Sequence, residues 1–335
     1  MKAAYMKAPW TVEIREVPLK EMEADEVIID VKACGICGSD LNGAETREEF
    51  RPFGHELAGI VEAVGEQVKN LKPGDRVAAE SSSFCGDCPE CRNGHVELCR
   101  NRFLFAETYN GFAQKLTAKA RALVKIDGIS YEEGAMLEPM GVALDLISVA
   151  DIGLTDQVLV MGAGPIAIMA VRLAKLRGAG HVTVCARSHS AERIRLAKEY
   201  GADEIILTDR ETIEEGRRGR LYNRILITTP PATIADTIDA AAFGGIIAVI
   251  GIGKTPQEGM CTLNINRMHF KRLQLRFSHA TPALFFPECN ELIRSGMVPV
   301  KPLISHRYPL EKMQEALLTC RDDKEHVVKV MMVNE

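Results

Sequence analysis

The stretch VLVMGAGPIAIMAVRLAKLRGA, Val158 to Ala179, limits the fold of this chain more than any other. Four apolar residues in a row read as a strand buried on both faces. Gly162 and Gly164 then break the run, and apolar positions recur at helical spacing from Pro165 to about Arg177. A strand, a glycine turn and a helix with the pattern GxGxxA open a βαβ unit that binds a dinucleotide. Gly162 permits the tight turn, Gly164 lets the backbone approach a pyrophosphate, and Ala167 lets helix and strand pack closely. Pro165 and Ile166 begin the helix, whose N-terminus favours an anion. The same grammar continues through HVTVCA, AERIRLAKEY, EIIL, RILIT, TIADTIDAAA, GGIIAVIG and LQLRFS. Buried strands alternating with helical segments predict a doubly wound parallel sheet.

The end of the second strand selects the dinucleotide. An NAD-binding strand normally ends in Asp or Glu, which accepts hydrogen bonds from the ribose hydroxyls. Here Ala186, Arg187 and Ser188 occupy that stretch and the first acid is Glu192. An arginine in this place pairs with a 2′-phosphate, so NADP(H) is expected over NAD(H). The competing reading of Arg187 is a solvated loop charge.

The first 138 residues or so are written differently. VEIREV, EVIIDVKA and HELAGIVEAVG are short alternating strands, and KPGDRVAAE carries a Pro-Gly turn, so this part is β-rich. After about Ala280 two helical segments and a closing strand, HVVKVMM, return to it, which leaves the nucleotide-type unit inserted in the middle. The expected boundaries are 1–140 with 281–335 for one domain and 141–280 for the other.

Ten cysteines in 335 residues then need a reason. The N-terminus MKAAYMKAPW has no secretory pattern and the chain is expected to be cytoplasmic, where thiols stay reduced and metal or catalytic roles come before disulfides. Cys85, Cys88, Cys91 and Cys99 follow a CxxCxxCx7C pattern with Gly86, Pro89 and Gly94 at the turns. Four thiolates at this spacing suit a tetrahedral structural zinc with no open position. An iron-sulfur cluster uses similar ligands, but its last cysteine is usually followed by proline, and Arg100 follows Cys99. The longest apolar runs, VLVMGAGPIAIMAV and AAAFGGIIAVIGIG, fall short of the ~18 to 20 residues of a membrane span, and a net charge of -5 without a basic block argues against nucleic acid and anionic membrane as partners.

A second, open metal site is suggested by ACGICGSD, GHE and LEPMG. Cys37, His55 and a carboxylate from Glu56 or Glu138 form the mixed set a catalytic zinc needs, with one position left for substrate. In a regular strand starting at His55, adjacent side chains would point to opposite faces, so His55 and Glu56 can converge only where the backbone is irregular. Both acids therefore stand as candidates. Cys34 with Cys37 also reads as CxxC, but the thioredoxin-like setting of a redox pair is missing.

Taken in order, GICGSD, GHE, KPGDRV, the four-cysteine lobe, LEPMGVA and the glycine turn resemble the zinc-dependent medium-chain dehydrogenases, nearest the sorbitol, threonine and galactitol-phosphate dehydrogenase branch. The resemblance spans nearly the whole chain. It implies an α/β fold, with a GroES-like β-rich catalytic domain around an inserted Rossmann domain. It also implies two zinc ions, with Cys37, His55 and a glutamate as catalytic ligands and Glu138 where some relatives have a second cysteine. Ser39 would take the alcohol proton, as the Ser or Thr of this motif does in such enzymes. Many relatives then have histidine three residues on, and here that residue is Asn42, which cannot titrate at useful pH.

FLFAETYNGFAQKL and RFSHATPALFF are expected to border the substrate cleft, with Tyr109 and His279 as contacts. These residues and the carboxylates suggest a polyol, sugar or cyclitol as the alcohol/ketone substrate. Lys271 and Arg272 read as a solvated charge pair or as phosphate receivers. The family also implies a homodimer or homotetramer, with FGGIIAVIGIGK as a candidate edge for pairing. The competing functions are an amino-alcohol (threonine-type) dehydrogenase, an alkene reductase, which usually lacks the Cys37/His55 pair, and a non-catalytic nucleotide-binding zinc protein.

Overall fold

The computed structural model describes residues 1–80, 82–104, 111–279 and 282–334. The chain divides into two compact units, Met1–Gly141 with Thr281–Asp323 and Lys329–Glu335, and Val142–Ala280 with Lys324–Val328.

The first unit is β-rich and centred on the strand Glu26–Gly35. Its sequence EVIIDVKACG alternates, and Val27, Ile29, Val31 and Ala33 are fully buried along one face. Val27, Ile29 and Val31 each contribute roughly 1.5–3 kcal/mol by leaving water, and Ala33 less. This strand lies inside a seven-stranded sheet, antiparallel to Glu56–Val64 on one side and to the C-terminal strand Lys329–Val333 on the other. Gly35 stands opposite Glu56 and opposite Met331. That register brings the starts of both neighbours to the end of Glu26–Gly35. A three-stranded sheet including Lys2–Lys7 and Thr11–Glu16 completes the main β-structure of the unit.

The second unit holds six parallel strands in the order Glu204–Leu207, His181–Ala186, Gln157–Met161, Tyr222–Ile227, Ala241–Val249, Gln274–Phe277. The chain winds outward in one direction from Gln157–Met161 and then in the other, so a crevice opens at the carboxyl ends where the order reverses. The apolar runs read in the sequence are buried on both faces; Leu159, Ile225 and Ile247 are fully inaccessible. The helix Pro165–Leu176 packs Ala167, Ala170, Val171 and Ala174 inward, spacing that lies on one helical face. The doubly wound sheet and the β-rich unit are as the sequence led us to expect.

Two local expectations are corrected. TIADTIDAAA was expected to be a crossover helix, but the chain makes a short 3-10 turn over Pro231–Thr237 and enters the next strand at Ala241. Thr233 and Thr237 donate their hydroxyls to the carbonyls of Pro230 and Ile234, at 2.9 and 2.8 Å, an alternative to helical pairing that threonine favours. FGGIIAVIGIGK is not at an edge. Its strand, Ala241–Val249, is paired on both sides, and the edge on this side of the sheet is Gln274–Phe277. No helix among the described residues is long and apolar enough to cross a membrane.

Candidate active site

The strand Glu26–Gly35 ends one residue before Ile36 and Cys37, and the helix Gly38–Thr46 begins immediately after. Asp40, in the first turn of this helix and buried, accepts the Cys37 N–H at 2.9 Å. That bond fixes where the Cys37 side chain leaves the backbone. The strand Glu56–Val64 starts at Glu56 and not at His55, and Gly54 before them has φ of +93°. The backbone is thus irregular where two adjacent side chains have to reach one centre. A side chain at Gly54 would also run into the Phe112 ring, so glycine is required twice over.

The result is that ligand atoms of Cys37, His55 and Glu56 all lie within 4.8 Å of one another. Glu138 stands outside that set, although it is buried near the start of the helix Leu137–Ala150. It acts on the set through its charge. Burial by itself would lower the His55 pKa, but Cys37 beside it, with Asp40 and Glu138, outweighs burial and lifts the pKa well above its ordinary value. A pocket of acidic groups that favours a positive charge this strongly fits a cation, and thiol, imidazole and carboxylate are zinc donors.

The sequence reading did not identify Lys329. This lysine, 4% exposed, donates through Nζ to both oxygens of Glu56, at 2.8 and 2.6 Å, and to the carbonyl of Ile36 at 3.0 Å. Burial opposes its charge, yet Glu56, Cys37 and Glu138 together raise its pKa. The one visible signal was a lysine inside the otherwise apolar HVVKVMM. A carboxylate offers about four lone-pair sites, so Glu56 can satisfy Lys329 and still face Cys37 and His55. Gly35 makes room for this pair, since a Cβ there would collide with the Glu56 carboxylate.

Ser39 is exposed, and among the described residues its hydroxyl makes no hydrogen bond. Asn42 lies one turn further along the same helix, and its side-chain oxygen is buried without a partner. Cys34 is fully buried, and burial pushes its thiol pKa well up, which removes the thiolate a redox pair would need. Tyr109 lies outside the described residues. His279 is exposed, just after the strand Gln274–Phe277. Lys271 does not face a phosphate site: its Nζ donates to the backbone carbonyls of Ile238, Asp239 and Ala241 at 3.1, 2.8 and 2.8 Å.

The four-cysteine lobe is compact. Sγ separations of 3.4 Å for Cys88–Cys91, 3.6 Å for Cys85–Cys99 and 3.9 Å for Cys88–Cys99 bracket the edge of about 3.8 Å that a tetrahedron with ~2.3 Å zinc–sulfur bonds requires. Gly86 and Gly94 both have φ of +84°, which explains glycine at these turns. The backbone N–H groups of Asp87 and Cys88 draw the Cys85 thiol down to about 6, while desolvation pushes Cys91 up to about 12. Four sulfurs at tetrahedral spacing around one centre fit a site completed by a divalent cation.

In the second unit, Gly162 adopts φ of +106° and a Cβ there would meet Thr228 Oγ1 at 2.6 Å. Gly164 is different. It has ordinary φ, and a Cβ on it would meet nothing within 4 Å. Neither backbone nor packing demands glycine there, so the free space suits a ligand approaching the helix N-terminus at Pro165 and Ile166. Ala167 is 1% exposed against the sheet. A groove of about 1180 Å³ runs from Gly162 past Ala186 and Arg187 to Thr229 and Arg267. Ser188, next to Arg187, bonds to Asp209.

Residues 23–128 match the family model for the alcohol dehydrogenase GroES-like domain, and residues 165–294 match that for zinc-binding dehydrogenases. Sorbitol dehydrogenase of Bacillus subtilis is 31% identical over 99% of this chain and 97% of its own length. An alcohol dehydrogenase from Escherichia coli CFT073, solved with NADH, superposes with a TM-score of 0.91 at 27% identity, covering 100% of this chain and 99% of that one. A zinc-binding dehydrogenase from Sinorhizobium meliloti 1021, solved with NADP, gives 0.87 at 26% identity over 99% of both chains. With both domain models matched in order and a full-length relative of this kind, the chain belongs to the zinc-dependent medium-chain dehydrogenase family, in its sorbitol dehydrogenase-like branch.

Proposed function

We propose that the chain is a zinc- and NADP(H)-dependent dehydrogenase that interconverts a secondary alcohol of a polyol, sugar or cyclitol, free or phosphorylated, with its ketone. The observation that carries this reading is the convergence of Cys37, His55 and Glu56, with the unengaged Ser39 hydroxyl two residues beyond the first of them. The likeness to sorbitol dehydrogenase supports the substrate class. Residues 1–140 and 281–335 would form the catalytic domain and 141–280 the dinucleotide-binding one.

Cys37, His55 and Glu56 would hold the catalytic zinc, and Cys85, Cys88, Cys91 and Cys99 the structural one. When bound, the catalytic zinc supplies a Lewis acid that makes an alcohol easier to deprotonate. Ser39 accepts the hydroxyl proton and passes on its own. Asn42 can orient a water through its unpaired oxygen but cannot itself store the proton. Glu138 and Asp40 keep the pocket electronegative, and Tyr109 and His279 are assigned to the substrate. In the groove, Gly162, Gly164, Pro165, Ile166 and Ala167 would seat the pyrophosphate, Ala186 and Arg187 line the adenosine end, and Ser188 beside them is assigned to the same end through its Asp209 contact. Self-association as a homodimer or homotetramer is assigned to the edge strand Gln274–Phe277, near which Phe243, Phe270 and Phe277 are 68–75% exposed.

Metal analysis combined with a dinucleotide reduction screen over sugar alcohols, inositols and their phosphates tests this directly. Two zinc ions per chain and turnover with NADP+ are expected. A single zinc with no turnover on any of these alcohols would reject the dehydrogenase, and NADH binding about tenfold tighter than NADPH would reject the cofactor choice alone. Ser39→Ala should lower turnover about 10²-fold while both zinc ions stay bound, because it removes a proton acceptor and no ligand. Undiminished turnover would assign the proton to another group.

A further inference from the structure

The adenosine end of the groove is built by two loops. One follows the strand His181–Ala186 and the other follows its parallel neighbour Glu204–Leu207; Ala186 pairs with Leu207, so the loops leave the sheet side by side. Ser188 on the first loop and Asp209 on the second are joined twice. The Ser188 N–H donates to Asp209 Oδ1 at 2.8 Å, and the Ser188 hydroxyl donates to Oδ2 at 2.5 Å. Arg187 and Arg210, beside them in the sequence, both line the groove. Neither guanidinium makes a hydrogen bond or ion pair with any described residue. Two guanidinium groups without hydrogen-bond partners thus lie next in sequence to Ser188 and to Asp209, whose carboxylate holds two donors and is favoured as the anion first by those Ser188 bonds and also by the charge of Arg210.

A backbone N–H and a hydroxyl at the end of this strand, with a guanidinium next to them, are what a phosphate on the adenosine ribose would use. Asp209 already occupies the first two. We infer that Asp209 is an internal stand-in for the 2′-phosphate: its carboxylate holds the Ser188 donors and places a negative charge beside Arg187 and Arg210, and so it limits how strongly the groove prefers the phosphorylated dinucleotide. This rests on the reading of the groove as a dinucleotide site. An incoming 2′-phosphate either displaces the carboxylate from Ser188 or settles for the guanidinium groups alone, and in both cases the charge of Asp209 opposes it. The unphosphorylated ribose meets no such repulsion. Removing the carboxylate frees two donors and removes one like charge, and both changes act in the same direction. Asp209 is exposed, so the replacement leaves the buried sheet intact.

The test uses the whole protein and two adenosine-end probes that need no turnover, 2′,5′-ADP and 5′-AMP, titrated by calorimetry. Asp209→Ala should bind 2′,5′-ADP about tenfold tighter than the wild type, while its affinity for 5′-AMP moves by less than about threefold. Asp209→Asn, which keeps an acceptor for Ser188 but loses the charge, should show a smaller gain. The double variant with Arg187→Ala should lose the gain. A tighter complex with one probe alone is not something a merely structural role can produce. If the two probes change together, or 2′,5′-ADP binds no better, the inference is overturned. A wild type that binds neither probe overturns the groove assignment as well; a wild type that binds both, with the ratio unmoved in Asp209→Ala, overturns only the role of Asp209.

Discussion

Replacing Cys37 with alanine is expected to lower turnover by at least about 10³-fold and to reduce the metal content from two zinc ions per chain to one. Cys37 is the soft donor of the three-residue set, and without it His55 and Glu56 offer only an imidazole and a carboxylate already shared with Lys329. Lewis-acid stabilisation of the developing alkoxide amounts to several kcal/mol, and each ~1.4 kcal/mol is a factor of ten in rate. The local fold should survive, because alanine keeps the N–H that Asp40 accepts at 2.9 Å and so keeps the start of the helix Gly38–Thr46. Circular dichroism and retention of the second zinc ion check this. Dinucleotide binding should be unchanged, since the groove is lined entirely by residues of the other unit. A Cys37→Ala protein that keeps two zinc ions and ordinary turnover would remove Cys37 from the catalytic centre and the proposed mechanism with it.

What could be read from the sequence, and what could not, follows from distance along the chain. The GxGxxA turn and the four-cysteine lobe are local. Gly162 is glycine because of its own backbone angle and its contact with Thr228, and the four cysteines lie within fifteen consecutive residues. Cys37 and His55 could be singled out because their types are rare in such settings, but their convergence depends on an irregular backbone at Gly54 that no periodicity reveals. The choice between Glu56 and Glu138 was open for the same reason, and only the positions of the side chains separate them. Lys329 and Asp209 were out of reach. Lys329 meets Glu56 across 273 residues because the closing strand is inserted beside Glu26–Gly35. Asp209 meets Ser188 across 21 residues because two parallel strands end together. Strand order, which decided both contacts, also decided that Ala241–Val249 lies inside the sheet.

Lys329→Met should destabilise the protein by about 3–5 kcal/mol, the usual cost of leaving one partner of a buried ion pair without the other. Glu56 is 1% exposed and Lys329 4%, so water cannot replace the lost ammonium. The pair itself need not contribute net stability, because desolvating two charges consumes much of their attraction; the expected loss comes from the uncompensated carboxylate that remains. A cation in the adjoining site offers that carboxylate another partner. The loss should therefore be smaller in zinc-replete protein than after chelation, and denaturant titrations in the two states measure the difference. Lys329→Arg, which keeps the charge, should recover part of the stability but strain a site closed by the Ile36 carbonyl at 3.0 Å. Equal stability of wild type and Lys329→Met, with and without zinc, would show that Glu56 is satisfied by other groups. If the loss were the same in both states, Glu56 would not face the metal, and a carboxylate would have to be sought elsewhere, Glu138 first. The closing strand would then brace the sheet and have no part in holding the ligand. The dependence of the Lys329→Met penalty on zinc thus separates a lysine that only fills the core from one that holds a metal-binding glutamate in place.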